Sequence, residues 1–515
     1  MQLNKITIES KLNIELNQDK ININLNELQE IVNFCFNNVI FDFTSQIDDI
    51  LIKIANQNII PLDQDFFPNS FLHVFSQVYL EGGHTRVGER WIKYSPDSQK
   101  HSVVITKQEN MPIPDLLKQV VKDKNGDFVV FENKNPIELA LDLRKIANKY
   151  EFIILHIHMN DLIPIIAFGA ENFNRKILFF NHADHEFWIG GKITTLVVNL
   201  RTFVIKINKQ LRNIYRNVLL PLPIEKPSLD FDDDEALRTK QELGIDRFEK
   251  VIITIASAYK YKNFDEYNWI KTAKKILDKN LNSVIVAIGP SMQNEEWSLA
   301  NKDTDGRIIP LGIIANNMVE KYLKIADLAI DSYPFGSFIA LLDVAKYNIE
   351  CLSLKTPINY LDSFLEAKIY CNNQNTLVER ATTILQKPKK NSRYTTKLYR
   401  IIEEKHFPNA FIKNIDLIYK TLDKSAIKSN KKNLMQKSKY IDKDIMNFLM
   451  FNRKIKGVDQ LFLQNHIKKS FVAKFKNSCI KKLLLQNHIK KSFVAKFKNS
   501  CIKRIKEIKN LINLC

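Results

Sequence analysis

ADLAIDSYPFGSFIALLDVAKYNIECLSL, residues Ala326–Leu354, decides how the chain is read. An apolar strand runs to Asp331, a Pro-Phe-Gly-Ser turn follows, and a helix is predicted to start near Ser337 before the second apolar strand, ECLSL. Strand, turn, helix and strand in so short a span make the βαβ unit of a parallel sheet. A helix starting here leaves backbone N–H groups free in its first turn, at the positive end of its dipole, a setting that suits a diphosphate. Gly336 permits close backbone approach, and Ser337 can cap the helix or donate to a phosphate. Asp343 stands in an otherwise apolar helical run, where a carboxylate needs donors; a ribose diol would supply them, and a neighbouring loop would serve as well.

The same alternation appears twice along the chain. From Phe71, FLHVFSQVY reads as a strand, EGGHTRVGERW as a turn entering a helix, and HSVVIT as the next strand. DFVVFE, a helix over Pro136–Lys149, the strand EFIILHIH, a short helix over Leu162–Phe168 and KILFFNHA close this series. VLLPLPIEKPS, with Pro221, Pro223 and Pro227, interrupts the pattern and reads as a linker. VIITIAS opens a second series that continues through SVIVAIG, RIIPLG and DLAIDSY to ECLSL. Buried strands alternating with helices indicate a parallel, doubly wound sheet. The predicted fold class is therefore α/β, with two Rossmann-like domains facing a cleft and a basic helical C-terminal tail. The expected divisions are 1–66 as a cap or extension, 67–222 and 223–422 as the two domains, and 423–515 as linker and tail. Within the cap, Lys5–Glu9 and Ile21–Leu25 alternate as strands do, and helical stretches run on through Ile54.

The tail carries the whole net charge. Residues 423–515 hold 24 Lys and Arg against 5 Asp and Glu, which leaves 52 of each sign for residues 1–422 in a chain of net charge +19. The body is neutral, so the overall basicity says nothing about its active surface. Residues 461–482 and 483–504 are copies of one another that differ only at Phe462/Leu484 and Lys482/Arg504. Wound as a helix, each copy places residues such as Leu463, Ile467, Phe471 and Phe475 on one apolar arc, with Lys469 and Lys476 opposite and Lys468, Lys474 and Lys482 inside the arc, so the stripe is imperfect. An anionic membrane surface is the expected partner of the tail, and a duplication of no consequence is the plainer alternative. Nucleic acid is not expected, because no Arg clusters accompany the lysines. No stretch offers the roughly 20 apolar residues of a membrane span. The six cysteines show no CxxC spacing, and the amino terminus has no apolar signal core. A cytoplasmic chain with free thiols is expected, peripheral at the inner face of the cell membrane where the tail attaches it.

Two further clusters carry possible chemistry. In GGHTRVGERW, Gly82 and Gly83 let the backbone turn beside a ligand, His84 projects at the carboxyl end of a strand, and Arg86 can reach a phosphate or pair with Glu89. In NHADHEFWIGG, Asn181–Gly191, the trio His182, Asp184 and His185 invites a metal, but only His156 and His158 on one strand add further ligands, so none is expected. Asp184 or His182 is read instead as the group that takes a proton from an acceptor nucleophile. There is no nucleophile elbow, GxxxxGK[ST] loop or HExxH.

Ala326–Leu354 resembles the nucleotide-sugar half of GT-B glycosyltransferases, and most closely the O-linked N-acetylglucosamine transferases and their bacterial N-glycosyltransferase relatives. The resemblance implies that Asp343 holds the ribose of UDP, with Asn348 where those enzymes have Gly; Glu350 departs from their usual Pro. It implies that Lys262, or Lys260 in the same loop SAYKYKNFDEYNWI, neutralises the leaving diphosphate together with Gly336 and Ser337. It places His84 at the donor or near the reaction centre, puts Gly82, Gly83, Arg86 and His185 on the acceptor side, and implies neither cofactor nor metal. The expected function is transfer of a hexosyl or N-acetylhexosaminyl group from a nucleotide diphosphate donor, UDP-linked, to a glycan, lipid-linked or protein acceptor, with inversion. Two alternatives stand beside it. One is a non-catalytic sugar-nucleotide or partner-binding protein on a transferase fold, suggested by Asn348 and Glu350; the other is a nucleotide-sugar epimerase.

Overall fold

Strand β1 (Phe67–Phe75) is buried from Ser70 onward, as a strand covered on both faces must be. It pairs in parallel with β2 (Lys100–Ile105) and β4 (Tyr150–His156). Adding β3 (Phe128–Val130), β5 (Lys176–Asn181), β6 (Leu196–Asn199) and β7 (Asn217–Leu219) gives a seven-stranded sheet in the order β3-β2-β1-β4-β5-β6-β7. The second sheet comprises β8 (Lys250–Ile255), β9 (Ser283–Ile288), β10 (Ile308–Gly312), β11 (Leu328–Ile330), β12 (Glu350–Leu354) and β13 (Tyr370–Cys371). Its order is β10-β9-β8-β11-β12-β13, again parallel throughout. In each sheet the winding reverses once, between β1 and β4 and between β8 and β11. Ligands of such sheets bind beyond the carboxyl ends of the strands at these reversals.

In this computed structural model residues 4–457 are described, apart from 61–64, 81–82, 133, 172, 228–232, 360, 387–392 and 426–441. The chain divides into two compact units, Met1–Leu449 and Met450–Cys515, and both sheets belong to the first. The repeats at 461–504, and the helical tail expected there, lie outside the described residues. No described helix is long and apolar enough to cross a membrane.

The amino-terminal cap is helical, not β-like at its start. Helices α1 (Lys5–Leu16), α2 (Leu25–Asn37) and α3 (Thr44–Asn58) account for most of it. Asn4 accepts from the Thr7 N–H as an N-cap, and Ile8, Leu12 and Glu15 fall on one buried face, a helical spacing that overrides the alternation of Lys5–Glu9. Asp48 of α3 accepts from the N–H groups of Gly190 (2.7 Å) and Lys192 (3.0 Å), which fixes the cap to the loop after β5.

The helices of the first domain are α4 (Gly83–Tyr94), α5 (Asp115–Asp123), α6 (Pro136–Ala147), α7 (Ile163–Gly169) and α8 (Thr202–Leu211). KILFFNHA does not close this series, because β6, α8 and β7 follow it. The second domain has α9 (Asp233–Glu242), α10 (Trp269–Lys279), α11 (Glu295–Asp303), α12 (Asn316–Lys324), α13 (Phe338–Ala345), α14 (Asp362–Glu366), α15 (Gln374–Leu385) and α16 (Arg393–Lys405). Here too ECLSL is followed by a further strand, β13.

Helix α17 (Pro408–Ser425) departs from the expected division at 422. It returns to the first domain, where Phe411 meets Trp91 of α4 edge-on at 6.1 Å and the Tyr419 hydroxyl accepts from Trp91 Nε1 at 2.9 Å. Trp91 is fully buried and too large to leave uncovered, so α17 completes the core of the first domain. The outgoing and returning segments are also bonded to each other. The Ile224 N–H donates to His406 O (2.9 Å), and His406 Nδ1 donates to Leu222 O (2.7 Å).

Candidate active site

A cleft of about 1570 Å³ opens between the sheets, lined by the segments that follow β1, β5, β8, β9, β10 and β11. That volume exceeds the several hundred Å³ of an ordinary small-ligand pocket and leaves room for two substrates.

The second domain contributes the turn after β11. Asp331 ends that strand, fully buried, and its carboxylate gathers the turn. Oδ1 accepts from the Ser332 N–H (2.9 Å), the Ser337 N–H (3.0 Å) and the Ser337 hydroxyl (2.6 Å), while Oδ2 accepts from the Ser353 hydroxyl (3.0 Å). The Ser337 side chain, although at the N-cap position, therefore makes no capping bond to α13. At Gly336 a Cβ would lie 1.8 Å from Asn359 Oδ1, so only glycine fits without displacing Asn359. The Leu341 N–H donates to Ser337 O at 2.8 Å, and the N–H groups of Phe338, Ile339 and Ala340 come before this first rung of the helix. All three residues line the cleft.

Lys260, on the short turn after β8, points into this site and donates to Gly336 O at 3.1 Å. Burial lowers its pKa and Asp331 counteracts that fall. Lys262, the first choice from sequence, is exposed and does not line the cleft. The 3-10 turn over Ala258–Tyr261 sets which of the two lysines faces inward.

The first domain presents α4. A Cβ on Gly83 would stand 3.6 Å from Ile339 Cδ1, so the start of α4 meets the start of α13 across the cleft. Further along, Asp343 faces Arg86 (3.6 Å) and Arg90 (3.4 Å), with Lys346 of its own helix at 3.5 Å. Arg86, expected on the acceptor side, is thus a partner of the expected ribose-holding carboxylate. Asn348 takes φ 61°, the left-handed conformation for which a glycine was the alternative. Glu89 lines the cleft one helical turn from Arg86; burial pushes its carboxyl up to about 7 despite Arg86 and Arg90.

His84 and His182 stack at the cleft wall with ring centres 4.9 Å apart. His84 Nε2 lies 3.0 Å from Gln77 O, an acceptor only, so it carries the proton and Nδ1 holds the lone pair. Burial brings His84 down to about 4 and His182 well below its ordinary range, so both rings are neutral near pH 7. Gly82 lies outside the described residues.

Asp184 is not the proton acceptor expected from sequence. Arg201 grips it bidentately, Nε to Oδ2 at 2.7 Å and Nη2 to Oδ1 at 2.5 Å, with both side chains buried. Burial would raise the Asp184 pKa, but Arg201 and His185 outweigh it and hold the carboxyl down at about 2. Arg201 also donates from Nη1 to Ile358 O of the second domain at 2.7 Å, so the pair joins the domains. His185 stands between Asp184 (3.8 Å) and Glu186 (3.5 Å). Among the described residues no group of three His, Cys, Asp or Glu side chains is arranged to hold a metal ion. His156, His73 and His101 instead form a file, successive rings bonded at 3.0 Å, inside the first sheet.

No family model and no curated protein matches the sequence. Solved structures do match. An Anabaena HepE structure in complex with UDP and glucose has a TM-score of 0.52 at 12% identity, covering 68% of this chain and 99% of that one. A Rickettsia africae glycosyltransferase gives 0.54 at 11% identity, covering 70% and 100%. A Thermobaculum terrenum O-GlcNAc transferase variant gives 0.50 at 12% identity, covering 78% of each chain. The fold is GT-B.

In this GT-B frame the cleft collects Lys260, Gly336, Ser337, Asp343, Gly83, His84, Arg86, His182, Asp184 and His185 from the residues expected by sequence, and leaves Lys262 outside. Sequence reading passed over Arg90, Arg201 and Asp331. Asp331 carried a usable signal, a carboxylate at the end of an apolar strand immediately before the turn. Arg201 carried none, because nothing in its spacing from Asp184 predicts a contact between two loops.

Proposed function

We propose that this chain is a glycosyltransferase that moves a sugar from a nucleoside diphosphate donor, UDP-linked, to an acceptor hydroxyl or amide on a glycan, a lipid-linked molecule or a protein. The observation that carries this reading is the bond of Lys260 to Gly336 O, in the turn leading into α13, at the reversal of the second sheet. A cation and unengaged N–H groups aimed at one place suit a diphosphate, both in the ground state and as charge builds on it during departure. In the proposed arrangement this pair carries the leaving-group charge without a resident metal. His84, neutral with its Nδ1 lone pair available, is the group we assign to the acceptor's proton, and α4 provides the acceptor wall. Hexosyl or N-acetylhexosaminyl transfer with inversion is the form of the reaction we favour.

Asp343 is assigned to the ribose hydroxyls, and its three cationic neighbours would have to share it. That engagement supports a second reading, a non-catalytic sugar-nucleotide-binding protein on the same fold. Calorimetry with UDP, GDP and other nucleoside diphosphates separates the two. UDP should bind, and Asp343→Ala should weaken it about tenfold, the worth of a hydrogen bond to a charged group. If no nucleoside diphosphate binds, the transferase reading fails; binding without turnover or donor hydrolysis on any acceptor favours the second.

We further propose that the basic tail attaches the protein to an anionic surface, each lysine near it contributing on the order of 1 kcal/mol. The full chain should sediment with anionic vesicles in low salt, while a chain ending after Ser425 should not. Equal sedimentation of both would remove that role.

A further inference from the structure

Asp331 makes more bonds to the turn after β11 than any helix cap or sheet ladder requires. A carboxylate buried in a protein is costly unless its lone pairs are filled and a counter-charge is near. Four donors fill it here: the N–H groups of Ser332 and Ser337 and the hydroxyls of Ser337 and Ser353. Its own carbonyl is fixed as well, accepting from Trp269 Nε1 at 2.9 Å. Ser332 and Ser337, bound to one oxygen, are the two ends of the turn, so the carboxylate closes it like a clasp. Lys260 approaches the same turn from the β8 side and bonds to Gly336 O, one residue from the Ser337 that Asp331 holds.

We propose that Asp331 is the positioning residue of the diphosphate-facing turn: its carboxylate fixes residues 332–337 and supplies the counter-charge that lets Lys260 stand beside them as an ammonium. Asp331 itself sits behind the turn and does not line the cleft. The identity of the ligand rests on the donor reading above; the coupling of Asp331 to Lys260 does not.

Other groups near the carboxylate are Tyr261, Tyr370 and Cys351, whose protons are held by burial first, with Glu350 and then Asp331 adding to it at Cys351 and Asp331 adding to it at the two tyrosines. All three are neutral near pH 7, whereas Lys260 is the cation that acts on Asp331. The sign follows directly. Burial favours the neutral amine of Lys260 and Asp331 favours the ammonium, so removing the carboxylate's charge must move the Lys260 titration to lower pH.

Competitive labelling of the full chain with acetic anhydride across pH, read at Lys260 by mass spectrometry, tests the coupling without any ligand. In Asp331→Asn the reactive amine should appear at lower pH than in the unsubstituted chain; coincident curves would overturn the proposal. The Ser337→Ala, Ser353→Ala double variant takes two of the four donors from the carboxylate, and UDP affinity should fall roughly tenfold as the turn loosens. If Asp331→Asn is recovered only unfolded, the double variant decides, since unchanged UDP affinity there contradicts the role in holding the turn. A shifted Lys260 titration in a protein that binds no UDP would support the Asp331 coupling and sink the donor reading alone.

Discussion

Arg201→Ala should cost about 3–5 kcal/mol of folding stability, the loss expected when one partner of a buried ion pair is removed and the other is left charged. Asp184 would keep His185 and the influence of the Arg212 charge, and the bond from Arg201 to Ile358 O would go with the guanidinium. Urea unfolding should show the midpoint falling at nearly constant slope. Removing both partners, in Asp184→Ala with Arg201→Ala, should cost less than Arg201→Ala alone, because no uncompensated charge remains. The pH dependence has a definite sign. The folded Asp184 carboxyl sits at about 2, below its ordinary value of 3.8. The pair's contribution is therefore complete above about pH 4 and is lost as the pH falls toward 2. A cost under 1 kcal/mol for Arg201→Ala would mean that the pair is solvated in solution.

Lys260→Ala should lower turnover, or hydrolysis of a UDP-sugar, on the order of 10²- to 10³-fold, the usual effect of removing one group that stabilises charge in the transition state. Lys262→Ala should leave the rate within about twofold, as expected for an exposed side chain outside the cleft. The two residues share a loop and a charge, so the comparison isolates position. A large loss in Lys262→Ala with little in Lys260→Ala would reverse the assignment. Lys260→Arg is a further control. The guanidinium keeps the charge but not the compact shape of an ammonium, so partial activity is the expected outcome.

What could be read from sequence follows from how local the signals are. The α/β class and the strand–turn–helix over Ala326–Leu354 were visible because buried parallel strands are continuous apolar runs and the turn is spelled by Pro334 and Gly336. Strand β7 runs straight into the proline-rich stretch that reads as a linker, and β6 and β13 are short strands with no turn signal setting them apart. The cap was misread at Lys5–Glu9, where five alternating residues imitate a strand until Leu12 and Glu15 are seen to share a face with Ile8. The site divides in the same way. Gly336, Asp343 and His84 lie at places the βαβ pattern defines. The choice between Lys260 and Lys262 depends on a single 3-10 turn, and the partner of Asp184 depends on how two loops meet.

The chain crosses between domains twice, outward at Leu222–Ile224 and back before α17, so the first domain is built from two separate stretches and the second from one. A cut in the proline-rich linker would leave the halves still joined by the second thread. The same geometry constrains how such proteins can be rebuilt from parts. Exchanging the second domain for another requires two breakpoints, one on each side of the insertion, with α17 retained. A graft made at one breakpoint would bring a foreign final helix to Trp91, whose indole is shaped here to Phe411 and Tyr419. The natural unit of recombination is thus an insert, carried within the first domain as a long excursion between its seventh strand and its last helix.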